Sequence, residues 1–325
     1  MAFSIAATLT PSPNAYYKPK AGAPVVLRRA VRCSSATAAA AVSSEFDLRS
    51  YWTSLIKEVD EKLNDAVPMK YPELIHEAMR YSLLAKTAKR APPVMCIAAY
   101  ELFGGHRDAA FPTACALEMV HAASLVHDDL PYLDDAPTRR GQPSSHTVYG
   151  PDMAILAGDA LFPLAFQHIV LNTPPQLVPQ SNILRVVQEI ARAVGSTGMA
   201  AGQLLEIEDD PSTVEFVHEK KFGELGQCSA VCGGLLGGAS DDEIERLREY
   251  GKIVGILYRV VEDIFEANTN VKRGKSYVSV YGIEKAIKAA EHLQARAKKE
   301  LNVFEKYGDG VLPLYSFIDY AAERL

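Results

Sequence analysis

The stretch VHDDLPYLDDAPTRRG, residues 126 to 141, holds the residues of this chain that are best suited to metal and phosphate chemistry. It carries four aspartates and two arginines within sixteen positions. Carboxylates supply the oxygen ligands that Mg²⁺ prefers, and arginines donate forked hydrogen bonds to the phosphates of a bound substrate. The pattern predicts a magnesium and diphosphate site, and the plain alternative is a solvated acidic turn capped by arginines. The candidate ligands are Asp128, Asp129 and Asp134 for the metal and Arg139 and Arg140 for the diphosphate.

Pro131 sets where the first two aspartates lie. Because proline disfavours helical geometry in the residue before it, the preceding apolar helix should end near Leu130. Asp128 and Asp129 would then lie at a helix C-terminus, where the macrodipole disfavours a surface carboxylate. A bound cation reverses the sign of that interaction. The placement therefore adds to the prediction of a metal site.

Helical periodicity runs through most of the chain after residue 45 and supplies the elements that must position this site. The first stripe is formed by Leu48, Trp52, Leu55, Ile56, Val59 and Leu63, at the spacing of an amphipathic helix. Ser240 with Glu243 forms a capping-box start for a later helix. No alternating strand segment of convincing length is present, so we predict one all-α domain over residues 45–325. The helical runs are 48–63, 72–86, 92–103, 108–129, 152–171, 181–195, 213–236, 241–267 and 282–306.

The N-terminal segment has a different composition. The first acidic residue of the whole chain is Glu45, and the residues before it are rich in Ala, Ser, Thr and Pro. This pattern is typical of an organelle transit peptide, so residues 1–44 are predicted to be a plastid targeting segment outside the fold. A disordered arm is the alternative. Removal of its five basic residues changes the net charge from −6 to −11, which argues against nucleic acid as a partner.

Membrane and redox properties follow from the apolar residues and the cysteines. No stretch looks apolar for long enough to span a bilayer, so the sequence predicts no transmembrane segment. A peripheral contact with the thylakoid remains compatible with this pattern. The four cysteines beyond the N-terminal segment lie in apolar helical surroundings. They are predicted to be reduced thiols in a core or an interface.

The order of the motifs resembles that of the head-to-tail prenyl diphosphate synthases, in particular plant plastid geranylgeranyl diphosphate synthases. HDDLPYLD is followed by RRG and, about thirty residues later, by GDALFPLAF. The resemblance extends over residues 46–325 through KRAPPVMCIAAYELFGG, GMAAGQ, EKKFGELGQCSAVCGGLLGG and VVEDIFE. It implies an all-α isoprenoid-synthase-type helical bundle around a central cavity. In that family, Mg²⁺ held by two aspartate-rich motifs withdraws diphosphate from an allylic substrate, and isopentenyl diphosphate captures the carbocation.

The first half of the family's site is intact in this sequence. Asp128, Asp129 and Asp134 match the DDxxxxD carboxylates, and Arg139 and Arg140 match the diphosphate-binding arginines. The resemblance also implies a residual substrate site with further contacts to diphosphate. These are Lys89, His121 and Lys221.

The second half departs from the family pattern. The family's GGKRxRP stands here as TAKRAPP, so Pro92, which has no donor, replaces an arginine. The second motif, DDxxD preceded by Gln, is here RVVEDIFE, with Arg259 in place of the glutamine. The longer glutamates suit octahedral Mg²⁺ poorly, so no catalytic residue is assigned. The degenerate motif consists of Glu262, Asp263 and Glu266.

Two further departures concern the closing of the site. A lysine-threonine pair of the family is here Lys221-Phe222, which loses a hydroxyl. The family's long segment after the second motif, which carries a KTxGKD element, is missing, because Glu266 is followed almost at once by ANTNVKRGKSYVSVYG. Lys272 or Arg273 could substitute for its lysine only in part. Losses of this kind predict very low turnover by the chain alone.

The same departures resemble the small, non-catalytic subunits of heteromeric plant geranylgeranyl and geranyl diphosphate synthases, of the second subtype. That subtype carries two CxxxC motifs at the subunit contact, so Cys96, Cys228 and Cys232 are predicted interface residues. Tyr100 replaces the fourth cysteine. Ordinary helix packing is the alternative for the thiols, and a zinc site is disfavoured because two thiols leave it short of ligands.

The resulting prediction is a plastid subunit that pairs with a catalytic geranylgeranyl diphosphate synthase and promotes or steers its products, and that binds isoprenoid diphosphates weakly. Mg²⁺ is the predicted cofactor, through the first motif. Two alternatives remain at this point. One is an autonomous Mg²⁺-dependent geranylgeranyl or polyprenyl diphosphate synthase, and the other is an unrelated structural bundle.

Overall fold

Fourteen α-helices make up most of the described part of the chain, which in the computed structural model is residues 46–208, 210–268 and 276–323. The predicted all-α fold is confirmed. A two-residue antiparallel hairpin, β1 (Thr138–Arg139) with β2 (Gln142–Pro143), interrupts it. The helices are α1 Leu48–Ala66, α2 Glu73–Leu83, α3 Ala91–Glu101, α4 Phe111–Asp128, α5 Ser145–Tyr149, α6 Pro151–Asn172, α7 Gln180–Val194, α8 Met199–Ile207, α9 Val214–His218, α10 Glu224–Leu236, α11 Asp241–Asn268, α12 Tyr277–Tyr281, α13 Ile283–Leu301 and α14 Leu312–Ala322.

The differences from the predicted helices are concentrated in short elements. The run predicted over 213–236 is divided by a π-helical turn, Glu219–Gly223, between α9 and α10. The helices that periodicity did not predict are α5, α8, α12 and α14, each of eleven residues or fewer. The first three have nine residues or fewer, which is too short for an apolar stripe to repeat. The predicted transit segment, residues 1–44, lies outside the described residues, and the extent of the domain stays a prediction.

The centre of the bundle is formed by α4 and α10. Every residue of α10 is buried, and so is nearly every residue of α4. A helix that is apolar on all sides must be surrounded by other elements. Here α4 packs mainly against α6 and α3, and α10 packs mainly against α11, α3 and α7.

Glycines allow α10 and α11 to pack backbone against backbone. A Cβ atom on Gly226 would collide with the carbonyl oxygen of Gly251, and one on Gly255 would collide with the carbonyl oxygen of Phe222. Only glycine fits where two backbones approach this closely. The contact fixes the π-helical turn, which carries Lys221 and Phe222, against the helix that carries the second acidic motif.

The helix α6 is buried on one face and exposes apolar side chains on the other. Ala157, Leu161 and Ala165 are buried, whereas Leu156 and Val170 are 50% and 59% exposed. By length and composition alone α6 could cross a membrane, with a mean hydropathy of 1.6. The prediction that no stretch is long and apolar enough is therefore wrong for this helix. Its packing against α4 and α2 is that of a bundle helix.

The predicted start of α11 is confirmed. The Ser240 amide donates to Glu243 Oε2 at 2.8 Å, and the Glu243 amide donates to Ser240 Oγ at 3.4 Å, which is a capping box. Lys306 Nζ lies 2.8 Å from Glu243 Oε1, and the Tyr307 hydroxyl donates to the same oxygen at 2.7 Å. Partial burial opposes ionisation, but Lys306, Tyr307 and Ser240 together lower the pKa of Glu243 to about 2.

We expect Glu243→Ala to lower the free energy of unfolding by about 1 kcal/mol at pH 7, because it removes a cap and a surface ion pair. The pKa of Glu243 in the folded state lies below that of a free glutamate side chain. The contribution is therefore complete above about pH 5 and is lost as the pH falls towards about 2. Urea unfolding of the variant and the wild type at pH 7 and pH 3 measures both effects. Glu245→Ala, on the same helix but paired only with Arg248, is the control. An equal loss in the control would contradict the assignment.

Candidate metal and diphosphate site

The first acidic motif lies where Pro131 predicts it. The helix α4 ends at Asp128, Asp129 is its C-cap residue, and both carboxylates are buried. The Asp134 amide donates to the Asp128 carbonyl oxygen at 2.9 Å, so the loop that follows α4 folds back onto its end. Asp134 itself is exposed. The three predicted metal ligands are therefore near one helix terminus, although only two of them are buried.

The two arginines of the RRG motif take different places. Arg139 Nε donates to Asp129 Oδ1 and Oδ2 at 2.8 and 3.1 Å, as a planar guanidinium does with a carboxylate. Arg140, which has a φ of +54° in the hairpin turn, donates instead through Nη2 to Glu118 Oε1 at 2.9 Å. Burial raises the pKa of Asp129, and Arg139 opposes that rise. Of the two arginines, Arg139 is the one that donates to a predicted metal ligand.

A buried charge cluster lies behind the motif, and sequence reasoning missed it. Arg90 Nη1 donates to Glu118 Oε1 at 2.6 Å, and Arg90 Nε donates to Asp60 Oδ1 at 2.8 Å. Burial opposes the ionisation of Glu118, but Arg90 and Arg140 lower its pKa. His121 lies one turn further along α4, and burial lowers its pKa to about 3, so it is neutral at pH 7. The sequence signal was a glutamate inside an otherwise apolar helix.

Lys221 joins the first motif from the π-helical turn. Its Nζ atom lies 3.9 Å from Asp128 Oδ2, and it forms a close ion pair with Glu206 of α8. Glu206 was not predicted as part of the site, because α8 was not recognised. Lys221 is buried beside Asp128, and its contact with diphosphate stays a prediction.

The second acidic motif lies on α11 and is occupied by a protein cation. Arg259 Nη2 is 2.5 Å from Asp263 Oδ1 and 3.7 Å from Glu266 Oε2. The Tyr277 amide donates to Asp263 Oδ2 at 2.6 Å, and His218 Nε2 lies 3.4 Å from the same oxygen. Burial raises the pKa of Asp263 to about 6 and, with Arg259, lowers that of His218 to about 3. Tyr277 and His218 were not predicted from the sequence.

Lys89 borders two cavities, one lined mainly by apolar side chains and one lined also by Arg49 and Asp319. Lys89 Nζ lies 3.2 Å from the Tyr258 hydroxyl and 5.7 Å from the centroid of its ring. The first cavity is lined by Pro92, Met95 and Leu225 among others. The place at which the family pattern has an arginine is thus part of an apolar wall. This agrees with the predicted loss of one phosphate contact.

The three cysteines predicted at a partner contact are buried inside this chain. Cys228 Sγ and Cys232 Sγ are 3.8 Å apart on α10, and Cys96 lies on the adjoining α3. Burial raises the pKa of Cys96 and of Cys232, so both are neutral thiols at pH 7. A partner could touch the sulfur atoms only if α3 and α10 separated. The placement is that of core packing, and a subunit contact must use other residues.

The fit to a metal ion differs between the two motifs. Within residues 46–208, 210–268 and 276–323, no three His, Cys, Asp or Glu side chains are arranged as a ready set of metal ligands. At the first motif, Asp128 and Asp129 have oxygen donors at a helix C-terminus, which suits Mg²⁺ in donor type and in electrostatics. At the second motif, Arg259 already lies against Asp263 and near Glu266. The donors there do not fit an added metal ion.

Two adjacent residues lie between the motifs. Lys221 is near Asp128 of the first motif, and Phe222 lies against Arg259, which precedes the second. An all-α bundle with two acidic motifs on either side of one basic turn defines a protein of the isoprenoid diphosphate synthase class. A family model described as polyprenyl synthetase matches residues 72–278. The chain belongs to the polyprenyl synthetase family.

Individual relatives agree with this assignment. The heterodimeric geranylgeranyl pyrophosphate synthase small subunit, chloroplastic, of Arabidopsis thaliana is 63% identical over 299 residues, which cover 91% of this chain and 89% of that protein. The large subunit 1 of the heterodimeric synthase of the same organism is 42% identical over 301 residues, covering 86% and 80%. The apo structure of an FPP/GFPP synthase from Zymomonas mobilis has a TM-score of 0.76 and 28% identity, and covers 84% of this chain and 98% of that chain.

Proposed function

We propose that this chain is a small subunit with little or no activity of its own. It pairs with a catalytic geranylgeranyl diphosphate synthase and enhances or steers the production of geranylgeranyl or geranyl diphosphate for isoprenoid biosynthesis. The observation that carries the proposal is the contrast between the two motifs. Arg139 and Lys221 lie near the aspartates of the first motif, whereas the second has glutamates in place of two aspartates and carries its cation, Arg259, on its own helix. The 63% identity to a relative named as a heterodimeric small subunit supports it.

The retained half-site accounts for weak binding of isoprenoid diphosphates. Asp128, Asp129 and Asp134 would hold Mg²⁺, which when bound supplies positive charge to a diphosphate. Lys221 lies beside Asp128 and can donate to a phosphate oxygen. Arg139 can move one of its hydrogen bonds from the Asp129 carboxylate to a phosphate. Pro92 offers no donor on the opposite side. The site can therefore bind a diphosphate from one side without enclosing it.

The decisive experiment compares products. The purified full-length chain, a catalytic plastid geranylgeranyl diphosphate synthase and their mixture are each supplied with Mg²⁺, isopentenyl diphosphate and an allylic diphosphate. The mixture is expected to co-purify and to show a changed rate or product spectrum relative to the catalytic subunit alone. Robust turnover by the isolated chain would instead establish an autonomous synthase.

We infer that the partner contact lies on the exposed, partly apolar face of α6. Ile155, Leu156 and Val170 are exposed there, and Phe162 and Phe166 are half-buried among them. Exposed Asp159 and Gln167 lie on the same helix between them, and an exposed face that combines large apolar side chains with polar ones suits a contact with another chain. It also explains how a subunit contact can form while the three thiols stay inside.

Charges on this face should weaken the complex. We expect Leu156→Glu and Val170→Glu each to raise the dissociation constant for the catalytic subunit by about tenfold or more, because each buries an uncompensated carboxylate. The measurement is binding of the purified chain to an immobilised catalytic subunit. Ile287→Glu on α13, at a partly exposed position far along the chain, is the matched control. An equal effect in the control would refute the location of the interface.

A plastid location is the remaining part of the proposal. Both Arabidopsis relatives carry the word chloroplastic in their names, and residues 1–44 have the composition of a transit peptide. A fluorescent protein fused after residue 44 is expected to enter plastids, and deletion of these residues is expected to abolish entry. Fractionation of the full-length chain would then distinguish stroma from a peripheral thylakoid pool.

A further inference from the structure

Two residues that depart from the family pattern contact each other. Arg259 stands where the pattern has glutamine, and Phe222 stands where it has threonine. The guanidinium carbon of Arg259 lies 5.3 Å from the centroid of the Phe222 ring, within the range of a cation–π contact. Both residues are buried. The two substitutions therefore form one structural unit, although they are 37 positions apart in the sequence.

The same guanidinium neutralises the second acidic motif from within. It lies 2.5 Å from Asp263, which is fully buried, and 3.7 Å from Glu266. Bringing carboxylates together in a buried place is costly unless a cation compensates them. In this chain the compensating charge is covalently attached to α11. Phe222 supplies an apolar platform that keeps it in the cluster.

We propose that Arg259, held by Phe222, replaces the metal ion at the second acidic motif, so that this wall keeps its folded shape without Mg²⁺ and does not bind it. A guanidinium is permanently charged and cannot be removed by chelation or by the absence of substrate. Its planar fork occupies the volume between the carboxylates and leaves no place for an octahedral shell. The exclusion of metal from this motif is a property of the single chain and does not depend on a partner.

The test counts bound metal ions by titrating the purified full-length chain with Mn²⁺ and following the free ion by electron paramagnetic resonance. We expect Arg259→Gln with Phe222→Thr, which restores the family's residue types, to bind one more Mn²⁺ per chain than the wild type does. Because the first motif is the same in both proteins, the difference reports the second motif alone. Arg259→Lys keeps a cation and is expected to gain no ion.

Arg192→Gln is the matched control for the loss of a partly buried arginine. Arg192 lies 2.8 Å from Glu224 and 3.2 Å from Glu189. Its removal takes one arginine from two carboxylates, which keep Lys220 and Arg248 as partners, at a place that is outside both acidic motifs. We expect it to gain no Mn²⁺. An additional ion in this control would mean that any carboxylate pair that loses an arginine binds Mn²⁺, and it would overturn the proposal.

A second readout is thermal stability without metal. Arg259→Gln is expected to lower the melting temperature by about 5 °C or more, because buried carboxylates lose their cation, and Mn²⁺ should restore most of the loss. Wild-type melting should not respond to Mn²⁺ through this motif. Failure of Arg259→Gln to lose stability, or to gain an ion, would overturn the proposal.

Asp263→Asn in an otherwise wild-type chain keeps the test decisive if the arginine variants do not fold. If Arg259 is the cation of this motif, the number of Mn²⁺ ions bound is unchanged by the substitution. Loss of one ion would show that the wild-type motif binds metal, and the proposal would be rejected. Neither result bears on whether the chain pairs with a catalytic subunit.

Discussion

Glu118→Ala is expected to lower the free energy of unfolding by about 3–5 kcal/mol, because it leaves two buried arginines without their shared carboxylate. Glu118 has no exposed side-chain surface, and Arg90 and Arg140 both donate to its Oε1 atom, at 2.6 and 2.9 Å. The cost comes from the uncompensated charges rather than from the ion pairs alone. Urea unfolding at pH 7, followed by circular dichroism, measures it.

The control uses the other carboxylate of the same arginine. Asp60 pairs with Arg90 Nε at 2.8 Å, but 41% of its side chain is exposed. Water can replace it, so Asp60→Ala should cost no more than about 1 kcal/mol. Similar losses for the two variants would show that burial does not set the cost. A loss for Glu118→Ala below that of Asp60→Ala would contradict the assignment of the cluster as structural.

The isolated chain is expected to turn over isopentenyl and allylic diphosphates at least about 10³-fold more slowly than a catalytic geranylgeranyl diphosphate synthase. Each missing electrostatic contact of this kind is worth about 2–4 kcal/mol in the transition state, and about 4 kcal/mol corresponds to 10³ in rate. Two contacts are compromised, at Pro92 and at the motif that Arg259 occupies. Single-turnover assays with radiolabelled isopentenyl diphosphate measure this directly.

Partial restoration of the family pattern should not rescue activity. We expect Pro92→Arg with Glu262→Asp and Glu266→Asp to remain about 10²-fold or more below the catalytic enzyme, because the Arg259 cation is still in place. The shortened segment after Glu266, predicted from the sequence, is not lengthened by these changes either. A catalytic synthase assayed in parallel is the control. Activity within tenfold of that enzyme would show that neither the Arg259 cation nor the shortened segment limits turnover.

Local sequence rules predicted the parts of the site that depend on neighbouring residues. Pro131 ended α4 next to Asp128, and Ser240 with Glu243 began α11. Both follow from backbone geometry within a few residues. The composition and the helical periodicity were sufficient for the all-α fold, because long apolar stripes on helices can be buried only against one another.

The parts that could not be predicted depend on contacts between distant segments. The spacing of Cys228 and Cys232 places both thiols on one helix face, but it does not say whether that face meets the core or a partner. Here it meets α3. In the same way, adjacent arginines can point to different groups, and the hairpin turn sends Arg139 to Asp129 and Arg140 to Glu118. The contact of Phe222 with Arg259 is likewise visible only once the π-helical turn is packed on α11.

The direct packing of α10 on α11 at Gly226 and Gly251 limits which residues can be substituted at this seam. Larger residues are barred at this seam by collision with the facing backbone, so the spacing of the two helices does not depend on nearby functional side chains. Substitutions that abolish chemistry can accumulate on either side while the scaffold stays in register. Side chains near the seam can therefore change while the spacing of the two helices is kept.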